Sequence, residues 1–515
     1  MKIHLLTCLT VLAITSSDAQ VTYQKTFGGL SFDVCNNAAL TNDSGYILTG
    51  FTESFGSGSR DLFLVRTNAS GDTLWTAAYG GAQSDEGNTV TETFDGGIAA
   101  AGYTGSFGTT TLDIYILKTN STGDLLWSKR FDSSGDDLAF SIQQTSDSGF
   151  ILTGSTSIHG TDDVSLIKLN STGDTLWTKC FMRLDDDVGF SVTETYDEGF
   201  LITGQTHIGI GGVNMFLIKT NSVGEIQWEN LYGGNAIEYG LQVQQSADSG
   251  CVVVGSSSSN SGFFDFSFLK TDSAGNTEFM KVYEASGEAS SIIQMPDGYL
   301  LSGSSNNFGA FSTDGYLIRT DLTGNPVWAK TFGSPNAETA STALPATGEG
   351  YVVCGNTTGF GGGLYDAYMI RTDSSGSSGC NDTTRTVPNI LPGFTASPAN
   401  FIETLYAPSG FSTATQTAKG SSVYNICFND VVGEYEKTDF DIFPNPSSGQ
   451  FTLVFDKTTD NGKINVSNIL GETFLEVLVI HEHQIQIRLE NGVPGIYFLT
   501  FTDNERQRVR KIILQ

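Results

Sequence analysis

Residues 141–181 read SIQQTSDSGFILTGSTSIHGTDDVSLIKLNSTGDTLWTKCF, and this stretch decides the fold. Four runs rich in β-branched and aromatic residues, Ser141 to Thr145, Phe150 to Thr156, Val164 to Leu169 and Thr175 to Phe181, are separated by Gly-containing turns. An Asp147-Ser148-Gly149 turn joins the first two runs. The last two meet through Asn170-Ser171-Thr172-Gly173-Asp174, a hairpin connection whose glycine can take positive φ. The pattern predicts four antiparallel strands in succession.

The unit recurs along the chain. Its turn glycines stand at 45, 97, 149, 199, 250, 298 and 350, separated by 52, 52, 50, 51, 48 and 52 residues. A basic column, Arg66, Lys118, Lys168, Lys219, Lys270, Arg319 and Arg371, closes an apolar run in every unit. An aromatic column, Tyr23, Trp75, Trp127, Trp177, Trp228, Phe279 and Trp328, takes in all five tryptophans. A period near fifty over seven units of four strands is the pattern of a β-propeller. The chain also opens with a lone strand of the aromatic type, Val21 to Phe27, while its last unit stops after Met369-Ile370-Arg371-Thr372 without one. The first strand can therefore complete the last blade, and residues 20–376 are expected to form a closed seven-bladed ring. The units resemble the Thr-Ser-Asp-Gly-Gly-Tyr propeller repeats of bacterial and archaeal surface proteins, a resemblance that spans about residues 21 to 376 and implies fold rather than ligand.

Composition narrows the function. With 26 Lys+Arg against 56 Asp+Glu the formal net charge is −30, which repels phosphate backbones and anionic lipid, so no nucleic-acid partner is expected. Lys2, the apolar stretch from Leu5 to Ile14, and Ser17-Asp18-Ala19 read as a signal peptide over residues 1–19, cut between Ala19 and Gln20. No later stretch approaches the ~20 apolar residues of a membrane-spanning helix, so the mature chain is expected to have no transmembrane segment. Export favours disulfides: Cys380 and Cys427 flank a connector and could pair, whereas Cys35, Cys180, Cys251 and Cys354 read as small buried hydrophobes.

Residues 377–437, rich in Gly, Ser and Thr, are expected to be a connector that can hold a few strands. A separate domain over residues 438–515 begins with the run Phe443-Pro444-Asn445-Pro446-Ser447-Ser448-Gly449 and continues in alternating strands, which suits a small β-sandwich. Its ordered landmarks, Pro444-Asn445-Pro446 and Gly449, Leu470-Gly471, Gly495 with Tyr497, and Lys511, resemble the type A sorting domain of type IX secretion. That resemblance implies the type IX machinery as a partner and a surface or extracellular location for a Bacteroidota-type cell.

Two sets of residues are candidates for a site. Asp33, Asp85, Asp137, Asp187, Glu238 and Glu338 recur in register, with Glu288 nearby in the shortened sixth repeat, and should ring one mouth of the channel. They could bind a cation, calcium among them, or a basic partner, but the preferred reading is that they accept backbone hydrogen bonds linking neighbouring blades. Otherwise no cofactor is expected. Phe55, Phe107, Phe308 and Phe360, each followed by glycine, sit in the loops opening on the same face and form the candidate ligand surface. No nucleophile elbow, Walker loop or His-rich metal set is present. The chain is therefore expected to be a binding or adhesive surface module, engaging a glycan or protein, rather than an enzyme. The alternatives are a polysaccharide hydrolase or lyase at the channel mouth, with Asp137 and Asp187 as acid and base, and a non-binding structural surface protein.

Overall fold

The computed structural model describes residues 22–515 apart from 108–110, 134, 184, 208–211, 234–235, 260–261, 308–311, 388, 391–394, 399–401, 405–408, 412–414, 419–421, 430–439, 444–449, 460–461, 469–472, 480–481, 490–494, 504–505 and 515. Residues 1–19, read as a signal peptide, and the expected cut between Ala19 and Gln20 lie outside the described residues. The chain divides into two compact units, with the break after Val431, inside the stretch read as a connector.

In the first unit the third repeat forms Asp137–Gln144, Phe150–Thr156, Asp163–Leu169 and Thr175–Met182, paired antiparallel in that order. The other repeats follow the same order, giving seven sheets among the described residues. The last is completed as the sequence predicts: Glu338–Pro345, Tyr351–Thr357 and Asp366–Thr372 take Thr22–Gly28 as their fourth strand, with Tyr23 opposite Arg371 and Phe27 opposite Ala367. The innermost strand of each sheet lies against that of the next, and Glu338–Pro345 lies against Asp33–Leu40 of the first, so the cycle of neighbours returns to its start. The arrangement is propeller-like.

The aromatic column shows how one sheet grips the next. Trp75 lies under Gly123, Trp127 under Gly173, Trp177 under Gly224, Trp228 under Gly275, Phe279 under Gly324, Trp328 under Gly376 and Tyr23 under Gly71. These hairpin glycines have φ between +71° and +79°, a region L side chains avoid, and a Cβ on any of them would come 2.5–2.9 Å from the ring. Main-chain conformation and the neighbouring ring both demand glycine there. The basic column is equally regular. Its buried cations reach the turn aspartates in six repeats, as in Lys118 to Asp95 at 2.7 Å and Lys270 to Asp248 at 2.8 Å. Arg371, whose turn lacks the aspartate, donates to the Thr347 carbonyl instead, at 2.6 Å.

These turns carry a pH dependence. The Lys270 ammonium and the Ser246 hydroxyl hold Asp248 down to about 2. At Asp95 and Asp147 partial burial pushes the other way, but the lysine and threonine donors prevail and the carboxyls again lie at about 2. A carboxyl depressed on folding contributes stability above its unfolded value of about 3.9, and that contribution is lost as pH falls toward the folded value. The melting temperature is thus expected to drop between about pH 4 and pH 2, and a circular-dichroism series that stays flat over this window would contradict the assignment.

The stretch after the last repeat does something the sequence reading did not anticipate in form. Its strands add, one at a time, to the outer edges of all seven sheets. Asp382–Arg385 pairs with Pro326–Phe332 of the sixth sheet, Asn389–Ile390 with the fifth, Thr395–Pro398 with the fourth, and Ile402–Thr404 with the third. Ser409–Phe411 and Thr415–Ala418 follow on the second and first, and Ser422–Asn429 ends on Thr22–Gly28 of the seventh. The segment is a belt that visits all seven sheets once, running from the sixth back to the first against the order of the repeats and ending on the seventh. The seven four-stranded sheets by themselves leave seven outer strands with open edges, and an open edge is a template for aggregation. The belt covers each of them.

The second unit packs two sheets. Phe440–Phe443, Gln450–Thr459 and Glu482–Arg488 form one; Thr473–Val479, Gly462–Asn468, Gly495–Asp503 and Arg506–Leu514 form the other. Alternate residues of both, including Phe451, Leu453 and Phe455 from the first and Ile464, Leu499 and Phe501 from the second, make one apolar core.

Candidate functional site

Every innermost strand slips register once, between Cys35 and Asn37 in the first repeat and at the matching place in the other six. A β-bulge leaves one residue unpaired and re-aims its side chain. The bulged residues are Asn36, Asn88, Phe140, Phe190, Leu241, Ser290 and Ser341, and they surround a cavity of about 280 Å³. This ring is split. On one side the Asn36 amide donates to the Gly87 carbonyl (3.0 Å), the Asn88 amide to Ala139 (2.9 Å) and the Ser341 hydroxyl to Cys35 (3.0 Å), so polar residues bridge adjacent strands. On the other side Phe140 and Phe190 meet edge-on at 5.3 Å, beside Leu241.

The aromatic side continues outward. Phe190 contacts Tyr239 at 6.4 Å between centroids, and Tyr239 contacts Phe264 at 5.4 Å. Phe264 borders a second cavity, of about 780 Å³, walled also by Phe263, Glu288, Asn306 and Asn307 and sharing Ser290 with the ring. Phe263 is 69% exposed. Glu288 is exposed and accepts a hydrogen bond from the Tyr239 hydroxyl at 2.5 Å. The sevenfold pattern breaks here because the sixth repeat is short, and Gly287 takes the register of the acidic column: its amide donates to Phe264 O as that of Asp85 does to Arg60 O.

The acidic column does not ring a mouth. Asp33, Asp85, Asp137, Asp187, Glu238 and Glu338 are all buried at the first position of the innermost strands. Asp85 accepts the Gly81 amide at 2.8 Å, the Ser106 hydroxyl at 2.6 Å and the Thr104 hydroxyl; Glu338 accepts the Ser334 amide (2.7 Å) and hydroxyl (2.8 Å) and the Thr357 hydroxyl (2.8 Å). The four aspartates and Glu338 each tie down the loop entering their own strand through its amide, while Glu238 accepts the Ser257 and Ser259 hydroxyls. Glu288, by contrast, lies one residue beyond that register. The loop phenylalanines also turn inward. Phe55 stacks on Phe63 (6.3 Å between centroids), and Phe107 and Phe360 meet Tyr115 and Tyr368 at a tilt (5.8 Å each), all three half-buried, while Phe308 lies outside the described residues. Burial pushes Asp187 up to about 7, yet neither it nor Asp137 borders the channel or the side cavity.

A second buried acidic column, unread in the sequence, opens the third strands: Asp61, Asp113, Asp163, Asp265, Asp314 and Asp366, with Asn214 in the fourth repeat. Each stands five residues before the basic column, a spacing that could have revealed it. Two close groups of potential ligand atoms occur among the described residues, Asp113 with Asp132 and Asp137, and His159 with Asp163 and Cys180. The first already holds Arg130, 2.6 Å from Asp113 and 2.9 Å from Asp132.

Cys35, Cys180, Cys251 and Cys354 are free and buried, and Cys380 is disulfide-bonded. Of the sorting landmarks, Tyr497 is buried in the core of the second unit, Gly495 opens its strand and Lys511 stands opposite Phe498. Pro444, Asn445, Pro446, Gly449, Leu470 and Gly471 fall outside the described residues.

Residues 441–515 match the secretion system C-terminal sorting domain family. No curated protein shows significant similarity to the chain. Among solved structures, one match is Sqt1 from Chaetomium thermophilum, at 9% identity and a TM-score of 0.40, covering 69% of this chain and 98% of that one. Another is the BSP domain of a biofilm associated protein, at 8% identity and a TM-score of 0.13, covering 97% and 91%. The sorting-domain match supports type IX secretion and export to the cell surface or extracellular space. Among the described residues no helix is long and apolar enough to cross a membrane.

Proposed function

We propose that this chain is an exported binding module: a closed seven-bladed β-propeller, carried out of a Bacteroidota-type cell by its sorting tail after signal-peptide removal at Ala19/Gln20, that recognises a glycan at the split ring and the side cavity. The observation that carries the reading is the division of the ring. A pyranose presents an apolar C–H face and a hydroxyl edge, and the ring sets Phe140, Phe190 and Leu241 opposite Asn36, Asn88, Ser290 and Ser341. The side cavity repeats the combination with Phe263 and Phe264 against Glu288, Asn306 and Asn307. The hydrolase reading has less support, because Asp137 and Asp187 are buried beneath their loops, away from either cavity. For the belt, we take Cys427 as the partner of Cys380: Cys427 lies opposite Gln24 in register, and the Gln24 amide donates to the Cys380 carbonyl at 2.6 Å.

The test is isothermal titration of the full-length mature chain against a panel of soluble oligosaccharides. Saturable binding is expected, weakened about tenfold, or 1.4 kcal/mol, by Phe190→Ala and by Phe263→Ala. A panel that binds nowhere, or binding indifferent to both substitutions, would sink the proposal. Release of reducing ends on incubation would move the assignment to an enzyme.

A further inference from the structure

The seven junctions between neighbouring sheets are near-copies, so each serves as a control for the others. At each, the residue opening a third strand approaches the residue opening the next sheet's innermost strand. Asp61 Oδ1 and Asp85 Oδ2 lie 2.3 and 2.6 Å from one point, the place a Cβ on Gly80 would occupy. Asp366 Oδ1 and Asp33 Oδ2 crowd the equivalent point on Gly28, at 2.1 and 2.9 Å. Two buried carboxylates this close repel each other and lose solvation unless something positive joins them.

At five junctions the sequence supplies the remedy. Arg130 binds Asp113 beside Asp137. His159 Nδ1 sits 2.8 Å from Asp163, with Arg183 facing Asp187. Asn214 replaces the acid opposite Glu238, and Gly287 replaces the one opposite Asp265. Arg385 faces Asp314 beside Glu338. At the Asp61/Asp85 and Asp366/Asp33 junctions none of these devices is present among the described residues. Arg60, the nearest cation in sequence, is engaged by Glu53 at 3.1 Å and Glu86 at 2.5 Å and lies over the Phe51 ring.

Unsatisfied oxygens occur at these two junctions, as they do at three of the compensated ones, where Asp113, Asp163, Asp187 and Asn214 each keep a buried Oδ1 without a hydrogen-bond partner. Asp61 Oδ2 accepts the amides of Ser57 (2.8 Å) and Gly58 (3.2 Å), and Asp366 Oδ2 that of Gly363 (3.2 Å), whereas the Oδ1 atoms of both are buried without a hydrogen-bond partner. Burial raises both carboxyls above the ordinary range. Beside them the loops turn main-chain oxygens to a shared point. The Cβ position of Gly363 lies 2.6 Å from Ser31 O, 3.0 Å from Gly29 O and 3.4 Å from Asp366 Oδ1; that of Gly58 lies 2.5 Å from Gln83 O and 2.6 Å from Gly81 O. Carboxylate and carbonyl oxygens are the ligand set of a hard cation; here the Asp61 and Asp366 Oδ1 atoms have no donor, while Asp85 and Asp33 each accept three hydrogen bonds and the Gly81 and Ser31 carbonyls accept one each, from the Ser57 hydroxyl and the Leu364 amide, both at 3.3 Å.

We propose that these two junctions each hold one calcium ion, bound by Asp61 with Asp85 and the Gly81 and Gln83 carbonyls, and by Asp366 with Asp33 and the Gly29 and Ser31 carbonyls. Both ions flank the first sheet, so they pin the join where the ring closes and the one beside it. This is independent of the ligand bound at the channel.

The experiment is equilibrium dialysis of the full-length mature chain against calcium in 0.15 M NaCl and excess magnesium, with bound metal counted by mass spectrometry and melting followed with and without EDTA. Two calcium ions per chain are expected, with melting raised by calcium and lowered by EDTA. Asp61→Asn and Asp366→Asn should each remove one ion, and Asp113→Asn should remove neither. The wild-type count decides the matter should the variants fold poorly: less than one ion bound, with melting indifferent to EDTA, overturns the proposal. So does melting that ignores calcium but falls as pH rises from 5 to 8, because the pairs then share a proton.

Discussion

A chain lacking residues 22–28 is expected to lose its cooperative unfolding transition and to elute as aggregate. This strand completes the seventh sheet, receives the last strand of the belt and carries Tyr23 onto Gly71 of the first sheet. Tyr23 and Phe27 are fully buried. Truncating large buried aromatics costs about 3–5 kcal/mol each, and two such losses rival the ~5–15 kcal/mol by which a whole domain is stable. The deletion also bares the edge of Asp366–Thr372, a partner in search of a strand. Calorimetry and size-exclusion chromatography read the result. A monomer melting with wild-type midpoint and enthalpy would show that the ring does not depend on this closure.

Gly224→Ala should destabilise by about 2–5 kcal/mol, and the packing share of that cost, about half of it, should vanish when Trp177 is also alanine. The new Cβ would lie 2.8 Å from the Trp177 ring in a main-chain conformation with φ +79°. Left-handed backbone costs a β-carbon about 1–2 kcal/mol, and overpacking about 1–3 more. Only the second contribution depends on the indole, so chemical denaturation of both single variants and the double variant separates them by their non-additivity. Strictly additive losses would mean that Trp177 does not press on this hairpin, and the gripping role of the aromatic column would fall with it.

The repeats were legible because three kinds of residue recur at nearly fixed offsets: turn glycine, buried cation and aromatic. Each meets a steric or electrostatic demand that few residues satisfy. The split ring was not legible, because its defining feature is geometric. A bulge adds one residue to a strand without any characteristic type, and here Asn, Phe, Leu and Ser all occupy it. The inward acids and phenylalanines were found by register but misplaced in depth, since hydrophobic alternation cannot tell a loop that folds over its strand from one that opens. The belt left a fainter trace. Its strands begin at residues 382, 389, 395, 402, 409, 415 and 422, a spacing of six or seven, but most are too short for alternation to register against the Gly, Ser and Thr around them.

The belt also sets the order in which the first unit yields to force. A pull on the chain beyond Asn429 reaches the pairing of Ser422–Asn429 with Thr22–Gly28 before any other sheet bears load. Peeling then proceeds through the first, second and third sheets to the sixth, one short strand at a time, giving a series of small ruptures instead of a single large one. A bridge from Cys427 to Cys380 would short-circuit that series: tension would pass straight across the sulfur atoms to the start of the belt, and six of its seven strands would stay slack while the ring beneath them held.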